Sequence, residues 1–216
     1  MKKGIIMIQI LIADDHEMFR EGIKRICEDN PELIVAGEAS NGNEVLDKVN
    51  EKDYDLLLLD IAMPGLNGLD TLKQLKSLKP KLPVLVLSMY PEDEYAVRAI
   101  KAGAAGYLNK AKASRELMEA IKKVSNGGNY INAAVAEKLL FDMKSENSKP
   151  LHMTLSDREY QILTLVVSGK KISEIAEDLS LSVKTVSTYK VRILNKMEMK
   201  STAELVKYAV EHKLIL

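Results

Sequence analysis

Asp14, Asp15 and Asp60 are the residues whose spacing could do chemistry. Asp14-Asp15 closes an apolar run that extends from Ile5 to Ala13, and Asp60 closes a second run ending Leu56-Leu57-Leu58-Leu59. Such runs read as buried strands, and a carboxylate straight after one sits at the strand's C-terminal edge, where open α/β sheets bind ligands. Two further strand ends contribute: Ser88 finishes one, and Gly106-Tyr107-Leu108-Asn109 leads another into Lys110. Carboxylates gathered at one edge repel each other unless something neutralises them. Oxygen donors at open positions suit Mg²⁺, which keeps several waters and uses few carboxylates. A site of this composition could accept a phosphoryl group on Asp60, with Mg²⁺ and Lys110 offsetting the developing charge and Ser88 donating a hydrogen bond.

The elements that must position these groups follow from periodicity. Strands are expected near 6–13, 33–38, 55–60, 83–88 and 105–109, and amphipathic helices near 16–28, 41–51, 67–78, 91–102 and 114–126. Turn chemistry separates them: Asn30-Pro31, Asn41-Gly42, Pro64-Gly65, Pro80, Pro83, Pro91 at a helix start and Gly127-Gly128 at a helix end. Five strand–helix units with continuous apolar strands predict a five-stranded parallel sheet covered on both faces, a doubly wound, flavodoxin-like α/β layer. The second strand, with Leu33, Val35 and Gly37, is the least apolar and is expected at an edge.

Beyond it, residues 132–143 suit a short helix, and Lys144–Lys149, polar and followed by Pro150, reads as a linker. Four helices follow. The first opens on a capping box, Ser156-Asp157-Arg158-Glu159, and stops at Gly169; a short one covers about 172–179; a third runs from Ser182 as N-cap to about 197; the last opens on Ser201-Thr202-Ala203-Glu204. A short helix, a turn at Ser180-Leu181-Ser182 and a longer basic helix make a helix-turn-helix pattern. The resulting division is 1–127, a connecting segment 128–152, and an all-α unit 153–216.

The chain's formal charge is zero, but residues 182–200 carry Lys184, Lys190, Arg192, Lys196 and Lys200 against Glu198 alone. A basic stripe on a small domain points to nucleic acid. On a helical wheel Val186, Tyr189, Ile193, Leu194 and Met197 share one arc, while Lys184, Ser187, Thr188, Val191, Arg192 and Asn195 project the other way. Cations can hold phosphates while short side chains let a helix approach base edges in the major groove. Lys190 falls inside the packed arc and must extend to the surface. The lone cysteine, Cys27, shares a helical face with Phe19, Ile23 and Ile26 and reads as a buried thiol, so neither an intrachain disulfide nor a Cys-based metal site is available. The N-terminal apolar run is short, holds Gln9, and ends in Asp14-Asp15 without a cleavage signal, so it reads as a strand. With no segment of membrane-spanning length, a cytoplasmic protein is expected.

Asp14-Asp15, Asp60 with Met63-Pro64 and Gly68, Ser88 and Tyr107-x-x-Lys110 resemble, in register over about residues 6–126, the receiver domain of bacterial two-component response regulators. Leu155-Ser156-Asp157-Arg158-Glu159, Ile172-Ser173-Glu174-Ile175-Ala176, Leu181 to Val186 and Lys196-Met197 resemble the LuxR/FixJ-type DNA-binding domain. Together they make the chain similar to a NarL/FixJ-class response regulator. The resemblance implies that Asp60 takes phosphate from a sensor histidine kinase. It implies Mg²⁺ held by Asp15, Asp60 and the main-chain carbonyl of Ala62, with Asp14 acting through water. Ser88 and Tyr107 would be a switch pair whose hydroxyl and ring move inward once phosphate is present. The helix from Val183 would enter the major groove of double-stranded promoter DNA, with Ser187, Thr188 and Val191 facing bases and Lys184, Arg192 and Lys196 supplying charge. A homodimer when phosphorylated and a contact with RNA polymerase are the further partners it implies. The final helix (Leu205, Val206, Tyr208, Ala209) could pair with its copy or pack locally.

Some positions depart from the pattern. Ala62 and Tyr90, each two residues after a pocket residue, are poorly suited to orient a hydrolytic water, so slow loss of phosphate is expected. Ala111 follows Lys110 where many receivers have proline, and Lys171 stands where a small capping residue is common. A haloacid-dehalogenase-like phosphatase would need an acid at Ala62, and a phosphate-binding loop would need lysine at Asn43. No enzyme is therefore expected. A regulator that binds DNA without phosphorylation is the remaining alternative, and the intact pocket argues against it.

Overall fold

The computed structural model describes residues 7–90, 92–144, 150–212 and 214. The chain divides into two compact units, Met1–Leu139 and Leu140–Leu216.

The first unit is a five-stranded parallel sheet in the order β2-β1-β3-β4-β5. Its strands are β1 (Ile8–Ala13), β2 (Leu33–Ala39), β3 (Leu56–Asp60), β4 (Val84–Ser88) and β5 (Gly106–Asn109). Five helices alternate with them: α1 (Glu17–Glu28), α2 (Gly42–Glu51), α3 (Gly68–Leu78), α4 (Glu92–Lys101) and α5 (Ala113–Ser125). β3 and β4 are buried at every position, as strands covered on both faces must be. β2 lies at the edge, as its mixed composition predicts, and its pairing with β1 slips between Ile10 and Leu11. One face of the sheet carries Ile10, Ile12, Leu56, Leu58, Leu85 and Leu87 against Ile23 and Cys27 of α1 and Leu117, Ile121 and Val124 of α5. Burial pushes the Cys27 thiol up to about 11, so it stays protonated and unreactive.

Close approach requires glycine at both Gly68 and Gly106. A Cβ at Gly68 would lie 2.0 Å from the Asp60 carbonyl oxygen, so only glycine lets the loop behind Asp60 fold back on the strand it leaves. A Cβ at Gly106 would crowd Tyr130, whose backbone runs alongside β5: the Tyr107 N–H donates to the Tyr130 carbonyl at 3.0 Å and the Tyr130 N–H to that of Ala105 at 2.9 Å. The sequence reading, which ends the sheet at β5, does not anticipate this added bridge. α6 (Ala133–Lys144) follows, with Val135 buried. Pro91 and most of the expected linker, residues 145–149, lie outside the described residues.

The second unit holds a short 3₁₀ turn (Leu151–Thr154) and four helices: α7 (Asp157–Val167), α8 (Ile172–Asp178), α9 (Val183–Lys196) and α10 (Thr202–Glu211). α7 begins at the expected capping box, in which Ser156 and Glu159 satisfy each other's backbone N–H groups, and is followed by Gly169 at φ +90°. Lys171 cannot accept a hydrogen bond, yet α8 starts there because the Glu174 carboxylate accepts the Lys171 N–H at 2.9 Å. Ser180 takes φ +51° in the turn to α9, where Ser182 caps the helix through the Thr185 N–H. Val186 and Ile193 of α9, Met197 just after it, and Leu205 and Ala209 of α10 are buried in this unit's core. α10 therefore uses its apolar face locally, packing on α7, while Val210 stays exposed.

Candidate functional site

The strand order reverses between β2 and β3 on either side of β1, and the crevice beyond that reversal is where doubly wound sheets bind ligands. Asp14 leaves β1 there and Asp60 ends β3; both are almost fully buried, at 1% and 2% exposure. Lys110, delivered by the end of β5, places its ammonium 2.7 Å from Asp60 Oδ2 and 2.6 Å from Asp14 Oδ2. The Ala62 N–H donates to Asp60 Oδ1 at 3.2 Å. Burial is the largest influence on Asp60 and pushes its carboxyl above the ordinary range; Lys110 pulls it down and Asp14 adds to the rise.

Asp15 is more exposed, at the mouth. One ligand atom from each of Asp14, Asp15, Asp60 and His16 falls within 4.8 Å of the others. This oxygen-rich donor set, with three carboxylates of which two share one ammonium, fits a hard divalent cation. Ser88 is fully buried at the end of β4, where its Oγ accepts the Tyr90 N–H at 3.1 Å. Tyr107 is 4% exposed, with its hydroxyl donating to the Tyr90 carbonyl at 3.0 Å. The ring expected to move inward thus already lies inward.

The sequence reading missed several supports of this pocket. His16, the N-cap residue of α1, places Nδ1 2.9 Å from Asp15 Oδ1 and 3.3 Å from Asp14 Oδ1. Phe19 lies under the Lys110 ammonium, 4.6 Å from ring centroid to nitrogen. Arg20 donates to the Asp14 carbonyl at 2.7 Å while pairing with Glu38. Only their placement in the first turns after Asp14-Asp15 hints at these roles in sequence.

In the second unit α9 leaves Lys184, Ser187, Thr188, Val191, Arg192, Asn195 and Lys196 exposed, with Val183 and Val191 more than half exposed despite being apolar. The Thr188 hydroxyl donates to the Lys184 carbonyl at 2.9 Å, and the Arg192 guanidinium lies 5.7 Å from the centre of the Tyr189 ring. Lys196 is partly engaged: its ammonium is 2.7 Å from Glu159 Oε2, the carboxylate that closes the capping box of α7. Lys190 is half-buried, as its place in the packed arc requires.

Both units match known families. Residues 10–122 match the response regulator receiver domain, and residues 153–209 match the bacterial regulatory proteins of the luxR family. The chain belongs to the response regulators. It is 35% identical over 209 residues to the response regulator UvrY of Escherichia coli, covering 96% of each chain. It is 37% identical over 209 residues to the response regulator GacA of Pseudomonas protegens, covering 97% of this chain and 98% of that one. Among solved structures it is similar to RcsB from Salmonella enterica serovar Typhimurium bound to promoter rprA in the presence of the phosphomimetic BeF₃⁻ (TM-score 0.62, 25% identity, 94% of this chain and 98% of that one). Members of this family are DNA-binding transcription regulators, and receiver domains bind Mg²⁺ at an acidic pocket of this kind. Among the described residues no helix is long and apolar enough to cross a membrane.

Proposed function

We propose that this response regulator controls transcription through reversible phosphorylation of Asp60. The observation that carries the reading is the ammonium of Lys110 held between two buried carboxylates at the switch point of the sheet. A carboxylate oxygen of Asp60 attacks the phosphorus of a phosphohistidine on a sensor kinase; the P–O bond forms, the P–N bond breaks, and the histidine leaves. Lys110 stays beside the new acyl phosphate and offsets its charge, while Ser88 turns its hydroxyl from the Tyr90 N–H toward a phosphoryl oxygen. Asp14, Asp15, Asp60 and the Ala62 carbonyl would hold Mg²⁺, which supplies a second positive charge during transfer. Tyr107 stabilises the rearranged loop from its inward position, and the resulting change at α4 and β5 favours a homodimer or promoter binding.

On the DNA side, α9 enters the major groove. Lys184 and Arg192 hold phosphates, Lys196 divides its charge between Glu159 and the DNA backbone, and Ser187, Thr188 and Val191 meet base edges. Residues 1–127 receive the signal, 128–152 connect, and 153–216 read DNA, in the cytoplasm, with RNA polymerase as a downstream partner.

Incubation with acetyl phosphate and Mg²⁺ is expected to place one phosphoryl group on the protein, lost in Asp60→Asn, and to tighten retention on genomic promoter fragments. Labelling that survives Asp60→Asn, or retention indifferent to phosphodonor, overturns the reading.

A further inference from the structure

The peptide unit at Tyr90 is a junction. Its N–H donates to Ser88 Oγ at 3.1 Å, and its carbonyl accepts from the Tyr107 hydroxyl at 3.0 Å and from Asn109 Nδ2 at 3.3 Å. Its ring stacks on Tyr95 of α4, 4.3 Å between centroids and 11° from parallel. A carbonyl oxygen has two lone pairs, so Tyr107 and Asn109 can occupy it together. The other end of the Asn109 carboxamide is also engaged: Oδ1 accepts the Ala111 N–H at 2.9 Å, capping the 3₁₀ turn Lys110–Lys112.

We propose that Asn109 is a positioning residue that ties the turn carrying Lys110 to the Tyr90 loop, giving the pocket a route to α4 separate from that through Tyr107. The inference rests on the phosphorylation reading above. Lys110 is pinned to Asp60 and Asp14 at its tip and to Asn109 at its base. When the ammonium shifts to follow a phosphoryl oxygen, the turn shifts with it, and the carboxamide delivers that displacement to the Tyr90 carbonyl. The 3.3 Å separation is at the long end for such a bond, so it has room to tighten. Ser88 and Asn109 are direct partners in the β4–β5 register, which keeps both routes at the same level of the sheet.

Two substitutions separate the two ends of the carboxamide. Asn109→Ser keeps an oxygen able to cap Ala111 but is too short to reach Tyr90; Asn109→Gln keeps a donor long enough for Tyr90 but caps poorly. In the full-length chain with Mg²⁺, titration with beryllofluoride as a phosphoryl mimic is followed through the carbonyl carbon resonance of Tyr90, the group that accepts from Asn109 and Tyr107, and the amide resonance of Ala111. Wild type is expected to shift at both. Asn109→Ser is expected to load and to shift at Ala111 but to lose about half the Tyr90 response, because two donors share that carbonyl. Asn109→Gln keeps the Tyr90 response, and Tyr107→Phe combined with Asn109→Ser loses the remainder. A full Tyr90 carbonyl response in Asn109→Ser, a loss in Asn109→Gln as large as in Asn109→Ser, or a Tyr90 carbonyl that never moves in loaded wild type overturns the proposal. Failure of wild type to bind beryllofluoride overturns instead the reading of Asp60 as phosphoacceptor.

Discussion

The pocket and the face of α9 treat charge in opposite ways. Asp14, Asp60 and Lys110 are withdrawn from water, with the ammonium within ion-pair distance of both carboxylates, so each strongly affects its neighbours. Lys184 and Arg192 stand in solvent, where each cation contributes little alone and their sum is sensitive to salt. Buried charge makes a switch with few parts; exposed charge makes a graded surface. The Lys196–Glu159 pair lies between these cases, joining a 46% exposed ammonium to a 5% exposed carboxylate.

The contrast predicts its largest effect at Lys110. Lys110→Met leaves two buried carboxylates facing each other and is expected to cost about 3 kcal/mol at neutral pH, measured by urea unfolding. Folding raises the Asp60 pKa, so its ionised form is disfavoured in the native state. That penalty is absent below the ordinary carboxylate range and develops as pH rises through the raised value. The deficit of the variant should therefore shrink in acid and shrink on adding Mg²⁺. A deficit independent of both would mean that Lys110 serves packing alone.

The next effect is kinetic. If Asp60 carries the phosphoryl group, Ala62 and Tyr90 supply no side chain suited to orient a hydrolytic water, so loss is expected to be slow, and Ala62→Asn, which can orient water, should hasten it about tenfold, roughly 1.4 kcal/mol off the barrier. Following labelled phosphate by gel decides it; a wild-type lifetime of seconds is the contrary result.

Lys196→Met should destabilise the second unit by only about 1 kcal/mol, because solvent screens the exposed partner. Burial pushes the Glu159 carboxyl up, but Lys196 and Ser156 outweigh it and the net pKa is lowered. The pair's contribution is thus present at neutral pH and lost as pH falls through the lowered value, so denaturation curves of variant and wild type should converge in acid.

The smallest effects belong to single cations on α9. Lys184→Ala or Arg192→Ala should reduce the salt slope of DNA binding by about one unit per lost phosphate contact. Lys196→Ala should reduce it less, its charge being shared with Glu159. Equal losses at all three positions would erase the distinction drawn between buried and exposed charge.

Strand positions, the edge placement of β2, the capping box of α7, the Ser201 N-cap of α10 and the exposed face of α9 are legible in sequence because each follows from local periodicity or from one residue's chemistry; the second expected capping box is not closed, because the Glu204 carboxylate accepts the Lys200 N–H instead of that of Ser201. The convergence of Asp14, Asp60 and Lys110 is legible because strand ends share one edge of a parallel sheet. His16, Phe19 and Arg20 are not: their roles depend on how α1 settles over β1, which no spacing encodes. Nor is the pairing of Lys196 with Glu159, which joins two helices distant in sequence, nor the inward setting of Tyr107, which depends on where the Tyr90 carbonyl points.

The strip of backbone around Tyr130 has a mechanical consequence. Because its carbonyl takes the amide of Tyr107, the chain leaving the sheet is stitched to the strand bearing that phenol, bypassing α5. A displacement of Tyr107 is therefore expected to pull on the segment at Tyr130, and hydrogen exchange at the Tyr107 amide reads the tightness of the stitch.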